Sequence, residues 1–303
     1  MQLFKNNQPT LTTLKEIPFK LEQNIQDIFE QNLNTITGWR FVVTELPVKA
    51  NRFDTLAFDE ESKAFIIIEY KRDRTISVVD QGISYLNLLL EYKANFVLEY
   101  NERCNGNLRL SDVDWSQSRV VFVAPSFTDF QVQASNFKDL PIELWEIKQY
   151  EQGLVLINPI KKSKAAPSIK PLQQQQPNSV INKVTQEIIV YTEEDHLNNK
   201  SKAIKELYET YKEGILRLTD DVEIMPKKHY ISFEKNKRII ADFVVQTQEI
   251  KLYINTQYSS FQDLQNIGVP MNDKTKWGRG YYQIVIKDTD NLEYIMSLVK
   301  QAL

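Results

Sequence analysis

The sequence predicts an α/β protein: a mixed sheet flanked by helices in the first half, then a smaller α+β domain. Three observations carry this expectation. Residues 1–160 alternate between apolar spacing of helical period and short β-rich runs, in the order helix, three strands, helix, strands. Residues 161–186 contain Pro167, Pro171, Pro177, a four-glutamine run and five lysines with no acid, so they read as an extended, mobile linker. Residues 187–303 then resume with strands and helices of their own. The 303-residue length and a composition 42% hydrophobic and 25% charged exclude wholesale disorder.

Within residues 1–160, Leu21, Ile25, Ile28, Phe29 and Leu33 set a helix over Phe19–Leu33. After Gly38, strands follow at Trp39–Leu46, Arg52–Phe58 and Ala64–Lys71; the polar run Asp59–Lys63 joins the last two as a hairpin. Val79, Ile83, Leu86 and Leu90 form one stripe of a helix over Ser77–Lys93. Strands are expected at Phe96–Tyr100, Val120–Ala124, Ile142–Ile147 and Leu154–Ile157, with a helix over Phe127–Phe137. Beyond the linker, Glu187–Tyr191 is strand-like and Ser201–Leu216 helical. Tyr230–Phe233, Ile239–Val245, Ile250–Ile254 and Tyr281–Ile286 follow as strands, and Leu292–Leu303 as a closing helix.

The net charge of −3 does not announce a nucleic-acid partner, but it conceals an uneven distribution: −6 over residues 1–160, +5 over 161–186 and −2 over 187–303. The one cysteine, Cys104, rules out a disulfide framework or a cysteine zinc site, and His196 and His229 are isolated from any obvious second ligand. No run approaches the ~20 apolar residues of a membrane helix, and the polar N-terminus lacks a signal-peptide core, so a cytoplasmic protein is expected.

The chemistry concentrates where Arg52-Phe53-Asp54-Thr55-Leu56 meets Phe65-Ile66-Ile67-Ile68-Glu69-Tyr70-Lys71. Four consecutive apolar residues predict a strand covered on both faces. Glu69 and Lys71, two apart at its end, point the same way and need partners, because an unpaired buried charge costs several kcal/mol. Asp54 on the paired strand supplies a second carboxylate. Two carboxylates and the Tyr70 carbonyl make an oxygen-rich site suited to Mg²⁺, and Lys71 could orient or deprotonate a water or stabilise negative charge. Glu-x-Lys alone is more often a salt-bridged strand end. Gln81 and Tyr85, four apart on the next helix, share a face toward the same place, and Glu22 borders the apolar stripe of the first helix.

The pattern Glu22 … Asp54 … Glu69-Tyr70-Lys71 … Gln81-x-x-x-Tyr85 resembles the PD-(D/E)XK nuclease superfamily, most closely its RecB-like branch with the NucS-type endonucleases. The resemblance spans Phe19 to about Tyr100 and implies a restriction-endonuclease-like fold. It implies Asp54 and Glu69 as ligands of Mg²⁺, with Mn²⁺ able to substitute, and Lys71 as the catalytic lysine. Glu22 would complete the metal site from the first helix, while Gln81 and Tyr85 would touch the site and the substrate backbone. Phe53 stands where the superfamily name has proline, a position that varies widely. Glu30, about 80° round the helix from Glu22, is the alternative first-helix acid.

Tyr191–Leu197, Lys227–Ile231 and Trp277-Gly278 are similar to a C-terminal domain of unknown function that follows such nuclease domains. Lys227, Lys228, His229 and Tyr230 form a basic patch beside an aromatic, suited to backbone contact and stacking; Arg72 and Arg74 could add a phosphate-facing rim. The function expected is a Mg²⁺-dependent endonuclease acting on DNA in repair, restriction or defence, with homodimerisation open. The alternative is a non-catalytic nucleic-acid-binding or adaptor protein on a nuclease scaffold.

Overall fold

In a computed structural model, residues 2–72, 77–163, 165–169, 180–188, 191–235, 238–256, 261–271 and 282–303 are described. The chain divides into two units, Met1–Val190 and Tyr191–Leu303.

The first unit is built on strand β6 (Ala64–Tyr70), whose seven residues are all buried. β4 (Arg40–Val48), β5 (Asn51–Asp59) and β6 run as an antiparallel meander. β7 (Arg119–Ala124) and β8 (Ile142–Tyr150) then add in parallel, and β9 (Leu154–Pro159) pairs antiparallel with β8. With the short β3 (Glu16–Ile17) on β8, the result is a seven-stranded mixed sheet. An earlier hairpin of β1 (Leu3–Asn6) and β2 (Leu11–Leu14) pairs only with itself.

Period-two alternation assigns the buried strand residues to two cores. Phe65, Ile67, Val120, Phe122, Ile142 and Leu144 face helices α3 (Val78–Glu91) and α4 (Lys93–Cys104). Ile66, Ile68, Tyr70, Val121, Val123 and Trp145 face α1 (Glu22–Gln31), which buries Ile25 and Phe29 among them; the short α2 (Leu33–Thr37) follows α1. α3 is capped by Ser77, whose hydroxyl accepts from Asp80 N and donates to the Asp80 carboxylate. α5 (Asp129–Ser135) links β7 to β8.

Phe96–Tyr100, expected as a strand, lies inside α4. Phe96, Val97 and Tyr100 fall on one helical face, with Phe96 ring-stacked 5.9 Å from Phe53 and Tyr100 4.7 Å from Phe58. A five-residue run with four apolar or aromatic members does not distinguish the two periods.

The expected mobile linker over 161–186 is corrected over its described residues, which pack on the first unit. Asp139 accepts from Ile169 N and the Ser168 hydroxyl, Asn136 accepts from Ser163 N, and Lys162 donates to the Leu140 carbonyl. Burial lowers the Lys162 ammonium pKa to about 8 against the opposing pull of Glu143 and Asp139. Helix α6 (Val180–Glu187) follows, burying Val184, with Ile188 buried just beyond its end, so Glu187 closes a helix rather than opening a strand. Averaged composition concealed this: Val180, Ile181, Val184 and Ile188 carry a helical period of their own. Residues 170–179 lie outside the described set.

The second unit is a separate six-stranded sheet with every pairing antiparallel. Its strands are Val222–Pro226, Ile231–Lys235, Arg238–Val245, Ile250–Ile254, Gly268–Pro270 and Tyr282–Ile286. Helices Lys202–Leu216 and Leu292–Lys300 close one core with Tyr208, Tyr211, Ile215, Ile295 and Val299 against Phe233, Phe243, Leu252 and Ile284. The strands Val222–Pro226 and Gly268–Pro270 were not legible beforehand: both are short and lie at the sheet edges. Among the described residues no helix is long and apolar enough to cross a membrane.

α3 approaches the sheet closely at Gly82, where an added Cβ would stand 2.6 Å from Ile142 Cδ1 and 3.3 Å from Phe122 Cε2. Gly82→Ala is expected to lower stability by ~1–3 kcal/mol through overpacking, read as a reduced urea midpoint at unchanged m-value. An unchanged midpoint would refute close approach at this point.

Candidate functional site

Strands β5 and β6 pair as far as Thr55 and Ile68; beyond that point the Asp54 side chain takes over, Oδ2 accepting from Tyr70 N at 2.9 Å. Asp54 and Glu69 are thereby set at the same end of two adjacent strands. Glu69 is 3% exposed. Its Oε1 accepts from Lys71 Nζ at 2.6 Å, Gln81 Nε2 at 2.8 Å and Tyr85 Oη at 3.4 Å. Gln81 Nε2 also lies 2.8 Å from Tyr85 Oη, and the Tyr85 hydroxyl reaches the Arg52 carbonyl at 3.3 Å. Sequence spacing placed Asp54, Glu69, Lys71, Gln81 and Tyr85 together, and the structure brings them together.

The electrostatics are unbalanced in one direction. Burial, reinforced by the Glu69 charge, pushes the Asp54 carboxyl up to about 7, against the opposing Tyr70 N–H and Lys71 ammonium. Burial and then Glu69 push Tyr85 up to about 12, so it remains a protonated donor. Glu69 Oε2 is wholly buried with no hydrogen-bond partner. A partnerless carboxylate oxygen beside a second carboxylate that resists ionisation fits a small oxygen-seeking cation. Among the described residues, no group of three or more His, Cys, Asp or Glu side chains is arranged to hold a metal, so the donors on offer are two carboxylates, backbone carbonyls and water.

The remaining expected residues fall in different places. Tyr70 turns its ring to the α1 side, 5.8 Å from Phe29, so only its backbone borders Asp54. Glu22 Oε1 accepts from Arg72 N at 2.8 Å, and so holds the segment just after Lys71. Glu30, its alternative, accepts from the Thr55 hydroxyl on the α1 face of β5. Arg72 is exposed, with Nη1 on the Lys20 carbonyl at 2.9 Å; Arg74 lies outside the described residues.

In the second unit, Lys227 belongs to a turn, its N–H donating to the Tyr230 carbonyl. Its ammonium stands 3.8 Å from Glu234 with the side chain only 13% exposed. Lys228 is exposed. His196 Nε2 lies 2.6 Å from the Lys227 carbonyl, and burial lowers the imidazole pKa. Trp277-Gly278 lies outside the described residues.

Two participants escaped the sequence reading. Glu45 occupies the β4 position opposite Asp54 and its charge helps raise the Asp54 pKa. Gln26 is buried on α1 beside Ile25, and a polar residue within an apolar stripe was the available signal.

A buried carboxylate–lysine centre at the end of a mixed sheet is thus the class of site this fold presents. The chain belongs to the same family as an uncharacterized protein of Haemophilus influenzae, to which it is 49% identical over 303 residues, covering 100% of this chain and 99% of the relative. Residues 193–303 match the family described as a domain of unknown function, DUF5655. Among solved structures, the chain is similar to EndoMS in a dsDNA2 complex (18% identity, TM-score 0.30, 44% of this chain and 47% of that one). It is also similar to a repair endonuclease from Pyrococcus abyssi (18%, TM-score 0.25, 44% and 49%). SfsA of Pyrococcus furiosus in complex with Ca²⁺ is a third (14%, TM-score 0.25, 46% and 64%). The chain therefore spans about half the length of the first two structures.

Because the folded Asp54 pKa stands above its ordinary 3.8, folding takes up a proton between those values. The group's contribution to stability is full below pH ~4 and is lost as pH rises through about 7. Asp54→Asn, which keeps an acceptor for Tyr70 N, is expected to gain up to about 4 kcal/mol over wild type at pH 8 without divalent cations, and about 1 kcal/mol at pH 4.5. Chemical denaturation at the two pH values measures this; a loss of stability at pH 8 would contradict the strained-carboxylate account.

Proposed function

We propose that the first unit is a divalent-cation-dependent nuclease that hydrolyses phosphodiester bonds in DNA, an endonuclease serving repair, restriction or defence. The observation that carries this reading is the Glu69 carboxylate, with one oxygen fixed by Lys71, Gln81 and Tyr85 and the other buried without a partner beside Asp54. A strand end that served only as a salt bridge would have no need to leave that oxygen bare. The PD-(D/E)XK-like spacing supplies the reaction class.

Asp54 and Glu69 would hold the cation, Mg²⁺ or Mn²⁺. When bound it supplies Lewis-acid stabilisation of charge on the phosphoryl oxygens and acidifies the attacking water. The protein's own groups set the rest. Lys71, fixed on Glu69 and still 13% exposed along its side chain, presents ammonium protons to a phosphate oxygen or to that water. Gln81 and Tyr85 hold Glu69 in one orientation. Arg72, exposed just beyond Lys71, is placed to meet an adjacent phosphate.

The test is full-length protein with supercoiled, linear, single-stranded and mismatched DNA, in Mg²⁺, Mn²⁺ or chelator. Metal-dependent cutting is expected, reduced ~10²–10⁴-fold in Lys71→Ala and absent with chelator. Folded protein that cuts nothing in any metal would overturn the reading, and DNA binding retained without cutting would establish the adaptor alternative. A further expectation is that Mg²⁺ raises the melting temperature of wild type at pH 8 and leaves Glu69→Gln unchanged; an equal shift in both would place the cation elsewhere.

A further inference from the structure

Glu69 is oriented by side chains from α3, but Asp54 has no comparable support from that helix. Its support comes through the sheet. The β4–β5 ladder pairs Thr44 with Thr55 and Leu46 with Phe53 in one unbroken register, but its pairing lapses between them at Glu45 and Asp54, where Glu45 adopts a left-handed φ of 54°. Such a conformation is unfavourable for a glutamate and breaks regular strand geometry at the residue facing Asp54.

Gln26, 4% exposed on α1, reaches into this lapse. Its Nε2 lies 3.1 Å from the Asp54 carbonyl, 2.9 Å from Thr44 Oγ1, 3.1 Å from Glu30 Oε1 and 3.4 Å from Glu45 Oε1. Three of these four oxygens can only accept, which fixes the amide with its NH₂ toward the cluster. Glu30 is in turn anchored by the Thr55 hydroxyl, one residue along from Asp54.

We propose that Gln26 is a positioning residue for Asp54. Its amide replaces regular strand pairing at the lapse and fixes the backbone from which the Asp54 carboxylate reaches Tyr70 N. Each carboxylate of the site then has its own glutamine, Gln81 for Glu69 from one face of the sheet and Gln26 for Asp54 from the other. The consequence for cation binding rests on the nuclease reading above; the hold on Asp54 does not.

The test compares full-length wild type, Gln26→Met, and Gln23→Met on the exposed face of the same helix. The Tyr70 amide, which donates to Asp54 Oδ2, is followed by NMR and hydrogen exchange without metal. Gln26→Met is expected to shift the Tyr70 amide resonance and speed its exchange about tenfold, with the β7 amide of Phe122 unchanged. Mn²⁺ affinity by calorimetry is expected to fall about tenfold. Gln23→Met should match wild type in both. A Tyr70 amide unaltered in Gln26→Met overturns the proposal, as does equal loss of protection at Tyr70 and Phe122, which would mean general loosening. A Tyr70 effect in Gln26→Met, with a wild type that binds no Mn²⁺, would support the hold on Asp54 while refuting the metal reading of the proposed function.

Discussion

The structure around the site depends on one constraint: the Glu69 carboxyl group sits at the end of a strand buried on both faces. Taking a carboxylate out of water costs several kcal/mol unless it is paired and hydrogen-bonded. The surroundings read as compensation for that cost. Lys71 returns a positive charge two residues later, on the same side of the strand. Gln81 and Tyr85 add neutral donors from a helix that reaches them because Gly82 permits close approach to Ile142 and Phe122. The compensation is incomplete at one atom, Glu69 Oε2, which is buried without a hydrogen-bond partner.

Asp54 shows the same tension from the other strand. Its charge is opposed by burial and by Glu69, yet the Tyr70 N–H holds one of its carboxylate oxygens at the end of β6. Two carboxylates held together against mutual repulsion are a local cost that the two cores must offset, as is common at functional sites. Packing on both faces of β6 gives that rigidity. The aromatic cluster of Phe53, Phe58, Phe65, Phe96 and Tyr100 braces the α3–α4 side, and Phe29, Tyr70 and Trp145 brace the α1 side.

What the sequence disclosed follows from which physics is local. β6 was legible because double burial writes an unbroken apolar run, and Glu69/Lys71 and Gln81/Tyr85 because periods of two and about 3.6 put them on common faces. The α4 helix was not, because Phe96–Tyr100 is too short to show a period while its rings pack on strands far away in the chain. The helix Val180–Glu187 was hidden by a proline- and glutamine-rich neighbourhood. Glu45 and Gln26 were missed for a deeper reason. A left-handed residue within a strand and a polar side chain within an apolar stripe are departures from pattern, and only tertiary contact shows what they do.

Charge placement gives the last step. In the second unit, many cations among the described residues are engaged by acids: Lys212 by Glu193 and Glu209, Lys227 by Glu234, Arg217 by Glu213, Lys287 by Glu249. In the first unit, Lys71 is paired with Glu69, and the exposed Arg72 donates to the Lys20 carbonyl. On the proposed nuclease reading, a phosphate chain would be drawn to this surface by the cation that Asp54 and Glu69 would hold. Recognition and chemistry would then draw on the same two carboxylates, so substitution of either is expected to weaken both together, whereas a protein that bound through a separate basic face would lose only its chemistry.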